Sequence, residues 1–131
     1  MGTLGAIPLV VISQWWGGFF TGAFLVAFIL IALVVSHKSS VILGEKDPSS
    51  VVIDEVAGLL VALCLLPITW MTLAAGFVLF RLFDIWKPGI IRKVEALRGG
   101  IGIVLDDLMA GVLTNLIIRV ALGLMAFLSS P

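Results

Sequence analysis

Five carboxylates and two cations stand out in this chain as groups that could do chemistry. Asp54 and Glu55 form one acidic pair, Asp106 and Asp107 another, and Asp84 lies between them, three residues from Arg81 and three from Lys87. Positions three apart share one side of a helix, so Arg81, Asp84 and Lys87 can present alternating charge along one edge. Carboxylate oxygens are hard ligands, and Mg²⁺ typically takes one or two of them with waters and phosphate oxygens. An arginine fork suits a phosphate, and a lysine adds a point charge. Together these groups suit metal-assisted chemistry on a phosphate. Simpler roles compete: acids at helix N-termini complement the helix dipole, and an i,i+3 ladder of opposite charges can be a wet face. Three separate acidic stations in so apolar a chain favour a shared metal site.

Other polar groups are less specific. His37 follows a long apolar run and reads either as an interfacial polar residue or as a proton carrier beside a phosphate. Asp47 precedes the first acidic pair. Gly99-Gly100-Ile101-Gly102 would let backbone approach a phosphate, or simply form a flexible loop; it matches neither a P-loop nor a dinucleotide fingerprint. Arg92, Lys93 and Arg98 suit contact with anionic headgroups. No GxSxG or HExxH motif is present.

The composition points to lipid. The 131 residues are 61% hydrophobic and 12% charged, against about 45–50% and 25% for soluble domains. The formal net charge is zero, and no basic surface alternates with aromatics, so nucleic acid is not an expected partner. The one cysteine, Cys64, sits in an apolar run and reads as a packed thiol. A basic leader with a cleavage site is not evident, so the apolar segments read as permanent.

The positioning elements follow from the apolar runs. Gly2–Gln14 reads as a short helix that turns at Ser13–Gly18, with Trp15 and Trp16 at headgroup depth. Trp15–Val35 has no charge over 21 residues, enough for one span; Gly18 and Gly22 have GxxxG spacing. His37 and Lys38 suit the end of that helix. Asp47-Pro48-Ser49-Ser50 reads as a turn and a helix start. Leu108–Leu128 is the last long run, with Asp106 and Asp107 at its N-terminal end, Arg119 in its middle, and Gly111 and Gly123 suited to close packing.

Val56–Leu79 admits two readings. As a straight span it would separate Asp54 from Asp84 by about 45 Å of helix. As a bend at Pro67, it sends residues 55–66 in and returns residues 71–86. The bend puts seven of the eight basic residues on one side, all but Arg119. The positive-inside rule prefers that arrangement, with that side cytoplasmic.

On these motifs the chain resembles the phosphatidylglycerophosphatase A family of bacterial membrane lipid phosphatases. The resemblance rests on GTLGAIP at residues 2–8, SSVVIDEVAG at 49–58, FRLFDIWKP at 80–88 and GGIGIVLDDLMAG at 99–111. The family usually has a longer, Gly/Ser/Pro-rich stretch before its Gly-Thr, and another proline and an isoleucine after the Lys-Pro; here Gly89-Ile90-Ile91 follows. The resemblance implies a Mg²⁺-dependent enzyme that removes the terminal phosphate of phosphatidylglycerophosphate at the cytoplasmic face of the bacterial inner membrane. It implies one all-α, multi-pass membrane domain over residues 1–131 with its polar site at the cytoplasmic interface. Asp54, Glu55, Asp84, Asp106 and Asp107 are the expected metal ligands. Asp54, Asp84, Asp107 and His37 are the expected catalytic groups, and Arg81 and Lys87 the phosphate binders. A metal-activated water is the expected nucleophile, with an aspartate carboxylate as the alternative. A transporter subunit or a non-catalytic lipid- or metal-binding member would need no such chemistry. Oligomeric state and acyl-chain preference are not encoded in any motif here.

Overall fold

The computed structural model describes residues 2–15, 17–43, 48–95 and 100–130. They form α1 Gly2–Trp15, α2 Gly17–Leu43, α3 Pro48–Leu63, α4 Trp70–Trp86, α5 Gly89–Glu95 and α6 Gly100–Leu128, with no strand among them. The expected all-α architecture is the observed one. Trp16, Lys46, Asp47, Arg98 and Gly99, which the sequence singled out, lie outside the described residues.

The central helix is α3, and α1, α2, α4 and α6 all pack on it. Leu59 of α3 is fully buried, as are Phe80 of α4, Ile91 of α5 and Val104 of α6. Two glycines set the closest approach. A Cβ on Gly58 would stand 2.5 Å from the Phe80 ring and 2.7 Å from the Asp107 carbonyl oxygen. A Cβ on Gly111 would collide with the Gly58 carbonyl. Gly58 lies one turn beyond Asp54 and Gly111 one turn beyond Asp107, so this contact brings the two acid-bearing turns together. Gly22 and Gly123 do not serve that purpose, since a Cβ on either would meet nothing within 4 Å.

The bent reading of Val56–Leu79 is the one adopted. Leu65 turns the chain with φ 55°, a left-handed conformation uncommon for a non-glycine residue. Thr69 then caps α4: its hydroxyl accepts from the Thr72 N–H at 3.2 Å, and the Thr72 hydroxyl accepts from the Thr69 N–H at 2.9 Å. Helix α4 returns along α3, so that Gly76 meets Leu63 and Phe80 meets Gly58.

A helix end surrounded by lipid must have its carbonyls satisfied by protein, and α6 satisfies them here. Asn115 Nδ2 donates to the carbonyls of Val61, Ala62 and Cys64 at 3.3, 3.0 and 2.9 Å. Arg119 Nη2 donates to those of Cys64 and Leu65 at 3.1 and 3.3 Å. Arg119 Nε donates to Asn115 Oδ1 at 2.7 Å, tying the pair together. The mid-helix arginine thus pairs with the bend.

Two windows, Thr21–Ser39 and Ile101–Leu128, are long and apolar enough to cross a membrane, and only 17% of each is buried in the protein. The core helix of a soluble protein would be mostly buried. Here Leu30, Ile31, Val120, Leu124 and Phe127 face outward, as lipid contact requires.

Two helices are longer than the sequence suggested. No Gly or Pro interrupts residues 23–43, and α2 continues past His37 and Lys38 to Leu43. At the other end of the chain, α6 takes in Gly100 and Gly102 and places no acid in its first turn; α3 places none there either. Asp54, Asp106 and Asp107 therefore lie inside their helices, and dipole complementation at a helix start does not account for them.

Candidate active site

Three helices and one cap residue bring the charged groups to the end of the bundle opposite the bend. On α3, Asp54 is fully buried and Glu55 is next to it. Arg81 and Asp84 come from α4, and Asp106 and Asp107, both buried, from α6. Arg81 Nη1 donates to Glu55 Oε1 at 2.9 Å and to Asp84 Oδ2 at 3.1 Å. This one nitrogen fastens α4 to α3.

Lys87 ends α4 in a left-handed conformation, φ 43° and ψ 69°, with its N–H donating to the Phe83 carbonyl. A residue before proline is restricted, and a non-glycine residue in this region is strained. The turn sends the side chain across to α6, where Nζ meets Asp106 Oδ2 at 2.8 Å. Asp107 lies within hydrogen-bond reach of Asp84 and in the field of Asp106 and Asp54.

Five carboxyls and two cations, Arg81 and Lys87, therefore gather at this end of the bundle. Among the described residues, no three His, Cys, Asp or Glu side chains form a ready cage for a metal ion. The donor set is nonetheless all oxygen and carries excess negative charge. That fits a cation of the Mg²⁺ type, which keeps waters and phosphate oxygens in its shell instead of demanding an all-protein cage.

The structure brings Asp54, Glu55, Arg81, Asp84, Lys87, Asp106 and Asp107 together. His37 is exposed on α2 and lines a groove with Leu33, Val34, Lys38 and Ile101. The residue that reaches the acids from α2 is its neighbour Ser36, whose hydroxyl donates to Asp54 Oδ1 at 2.7 Å in a buried contact. Sequence reasoning missed Ser36 because the apolar run was ended at Val35, one residue before it. The signal was helical spacing: Ala32 and Ser36, four apart, are both buried.

Fold and site together define a small helical membrane protein with an acid-and-cation cluster at one end of its bundle. The sequence model of the phosphatidylglycerophosphatase A family matches residues 1–122. A Bacteroides thetaiotaomicron protein provisionally named a phosphatidylinositol-3-phosphatase is 41% identical over 105 residues, covering 77% of this chain and 65% of its own. Phosphatidylglycerophosphatase A of Escherichia coli K12 is 36% identical over 116 residues, covering 87% and 67%. That of Haemophilus influenzae is 35% identical over 91 residues, covering 68% and 56%. The chain thus spans between about half and two thirds of the length of these relatives. No solved structure matches it. The chain belongs to the phosphatidylglycerophosphatase A family.

Proposed function

We propose that the chain hydrolyses the terminal phosphate monoester of phosphatidylglycerophosphate, giving phosphatidylglycerol and inorganic phosphate. The observation that carries this reading is the Arg81 fork. Its Nη1 is engaged by Glu55 and Asp84, while Nε and Nη2 have no partner among the described residues. A guanidinium anchored on one nitrogen and open on the others is prepared for a phosphate. Two relatives named phosphatidylglycerophosphatase A support the substrate.

The charged end is the cytoplasmic end of a multi-pass protein in the bacterial inner membrane. Lys38, Arg81, Lys87, Arg92 and Lys93 belong to it, and of the described cations only Arg119 does not. The positive-inside rule supports that orientation. It also weakens the transporter reading, because the one mid-span cation is engaged by the carbonyls of the bend.

In this reaction Arg81 and Lys87 bind the terminal phosphate and face the charge on its equatorial oxygens in a loose transition state. A water oxygen bonds to phosphorus, the phosphorus–oxygen bond to glycerol breaks, and the glycerol oxygen leaves with a proton. A carboxylate of the Asp84–Asp107 pair takes the proton from water and returns one to the leaving oxygen. Asp54, Glu55, Asp84, Asp106 and Asp107 would supply the ligands for Mg²⁺. When bound, that ion supplies Lewis acidity and positive charge against the phosphate oxygens. Attack by an aspartate carboxylate is the alternative; trapping a phospho-aspartyl enzyme would establish it.

The test is phosphate release from phosphatidylglycerophosphate by purified protein in detergent, with and without Mg²⁺, alongside Asp84→Asn. The expected result is Mg²⁺-dependent release that falls at least about a hundredfold in the variant, the scale of a lost acid–base group. No release by folded wild-type protein overturns the activity, and full release by the variant removes Asp84 from the site. The same assay with phosphatidylinositol 3-phosphate tests the activity for which the 41%-identical relative is named.

A further inference from the structure

Phosphatidylglycerophosphate carries a second phosphorus centre besides the monoester that is removed. Its inner phosphodiester joins the two glycerols and stays with the acyl chains. Arg81 and Lys87 account for the monoester alone, so the rest of the substrate needs a place beside them.

On the flank of the charged end, α2 and α6 enclose a groove of about 280 Å³ lined by Leu33, Val34, His37, Lys38 and Ile101. Its walls are apolar, and its polar lining residues are one lysine and one histidine. Both lie near the end of the apolar window Thr21–Ser39. Leu33 and Val34 lie one turn deeper in the bilayer. Val34 and Ile101 are exposed, at 55% and 43%.

The groove shares its helices with the acids. Ser36, which holds Asp54, lies between Val34 and Lys38 on α2. On α6, Ile101 precedes Asp106 by about one and a half turns. The groove between α4 and α6, at Met71, Ile117 and Met125, is wholly apolar and lies toward the bend. The space around Thr21 and Cys64 holds only about 10 Å³.

We infer that the α2–α6 groove receives the lipid end of the substrate: Lys38 and His37 take the inner phosphodiester, and Leu33, Val34 and Ile101 take the first methylenes of an acyl chain. Charge complementarity selects this occupant. A lysine and an imidazole N–H suit a phosphodiester anion, and the apolar walls below them suit a hydrocarbon chain. His37 thereby serves substrate binding instead of proton transfer. This inference rests on the phosphatase reading above.

Two measurements test it separately from that reading. In the first, Lys38→Gln and His37→Gln are assayed on phosphatidylglycerophosphate. Each raises KM by about tenfold, the scale of one charge-assisted hydrogen bond, and keeps kcat; a fall in kcat with unchanged KM in His37→Gln returns that residue to proton transfer and overturns its place in the subsite. In the second, native mass spectrometry counts phosphatidylglycerol and diacylglycerol, which has the chains but no phosphate, retained by the intact protein. Phosphatidylglycerol has the diester and the chains but no monoester, so this readout needs no turnover. Retention of phosphatidylglycerol above diacylglycerol, lost in Lys38→Gln, supports the groove even if the wild type releases no phosphate. Unchanged KM in both variants of an active enzyme, or equal retention by all three proteins, overturns it.

Discussion

Ser36 and Asp54 meet in a buried hydrogen bond of 2.7 Å that joins α2 to α3. The serine fixes the rotation of a carboxylate that no solvent reaches. Removing the hydroxyl takes away the neutral donor that orients Oδ1 among its acidic neighbours. Ser36→Ala is expected to lower kcat by about tenfold, since a lost hydrogen bond to a charged group costs about 1.5–3 kcal/mol, with KM for the lipid unchanged. Ser36→Thr, which keeps a hydroxyl, recovers most of the rate. Steady-state kinetics on the three proteins check this; a wild-type kcat in Ser36→Ala refutes it.

Arg81 offers a second test, of shape against charge. A lysine there keeps the positive charge near Glu55 and Asp84 but loses the planar fork. Arg81→Lys is therefore expected to remain folded, with an unchanged melting temperature in detergent, and to lose about tenfold to a hundredfold in kcat/KM. Equal kcat/KM in variant and wild type would show that a point charge suffices and that the open guanidinium nitrogens do not bind substrate.

The bend offers the third. Asn115 and Arg119 serve carbonyls that lipid cannot. Asn115→Leu leaves three carbonyls without their amide donor, and each unsatisfied buried group costs about 1–3 kcal/mol. The expected outcome is a melting temperature lowered by more than in Val120→Ala, an exposed neighbour on the same helix. Thermal unfolding in detergent compares the two; equal melting temperatures would mean that the bend holds without α6.

Much of this arrangement was legible in the residues. Pro67 and the bias of the basic residues favoured a hairpin, and the hairpin places Glu55 against Arg81, a pairing the sequence did not specify. Three acidic stations in an apolar chain announced a site, because charges in lipid are kept only where they are paired or used. Helix ends were less legible. Ser36-His37-Lys38 looked like the end of α2, yet nothing there breaks a helix, and the buried partner that makes Ser36 tolerable is eighteen residues away. Gly99-Gly100-Ile101-Gly102 read either as a turn that lets backbone approach a phosphate or as a loop, and its described part is helix instead because tertiary packing overrides glycine's weak propensity. Arg119 gave no hint of its partners, since backbone carbonyls carry no sequence signature.

The hairpin also constrains how the protein is made. A straight passage through residues 54–86 would deliver Asp106 and Asp107 to the opposite leaflet from Asp54, and no later packing could reunite them without dragging charge through hydrocarbon. Yet Asn115 and Arg119, which hold the bend closed, are synthesised after it. The carbonyls of Ala62, Cys64 and Leu65 therefore gain these donors only once α6 has been made. Closure of the hairpin is thus completed by a helix that is made after it.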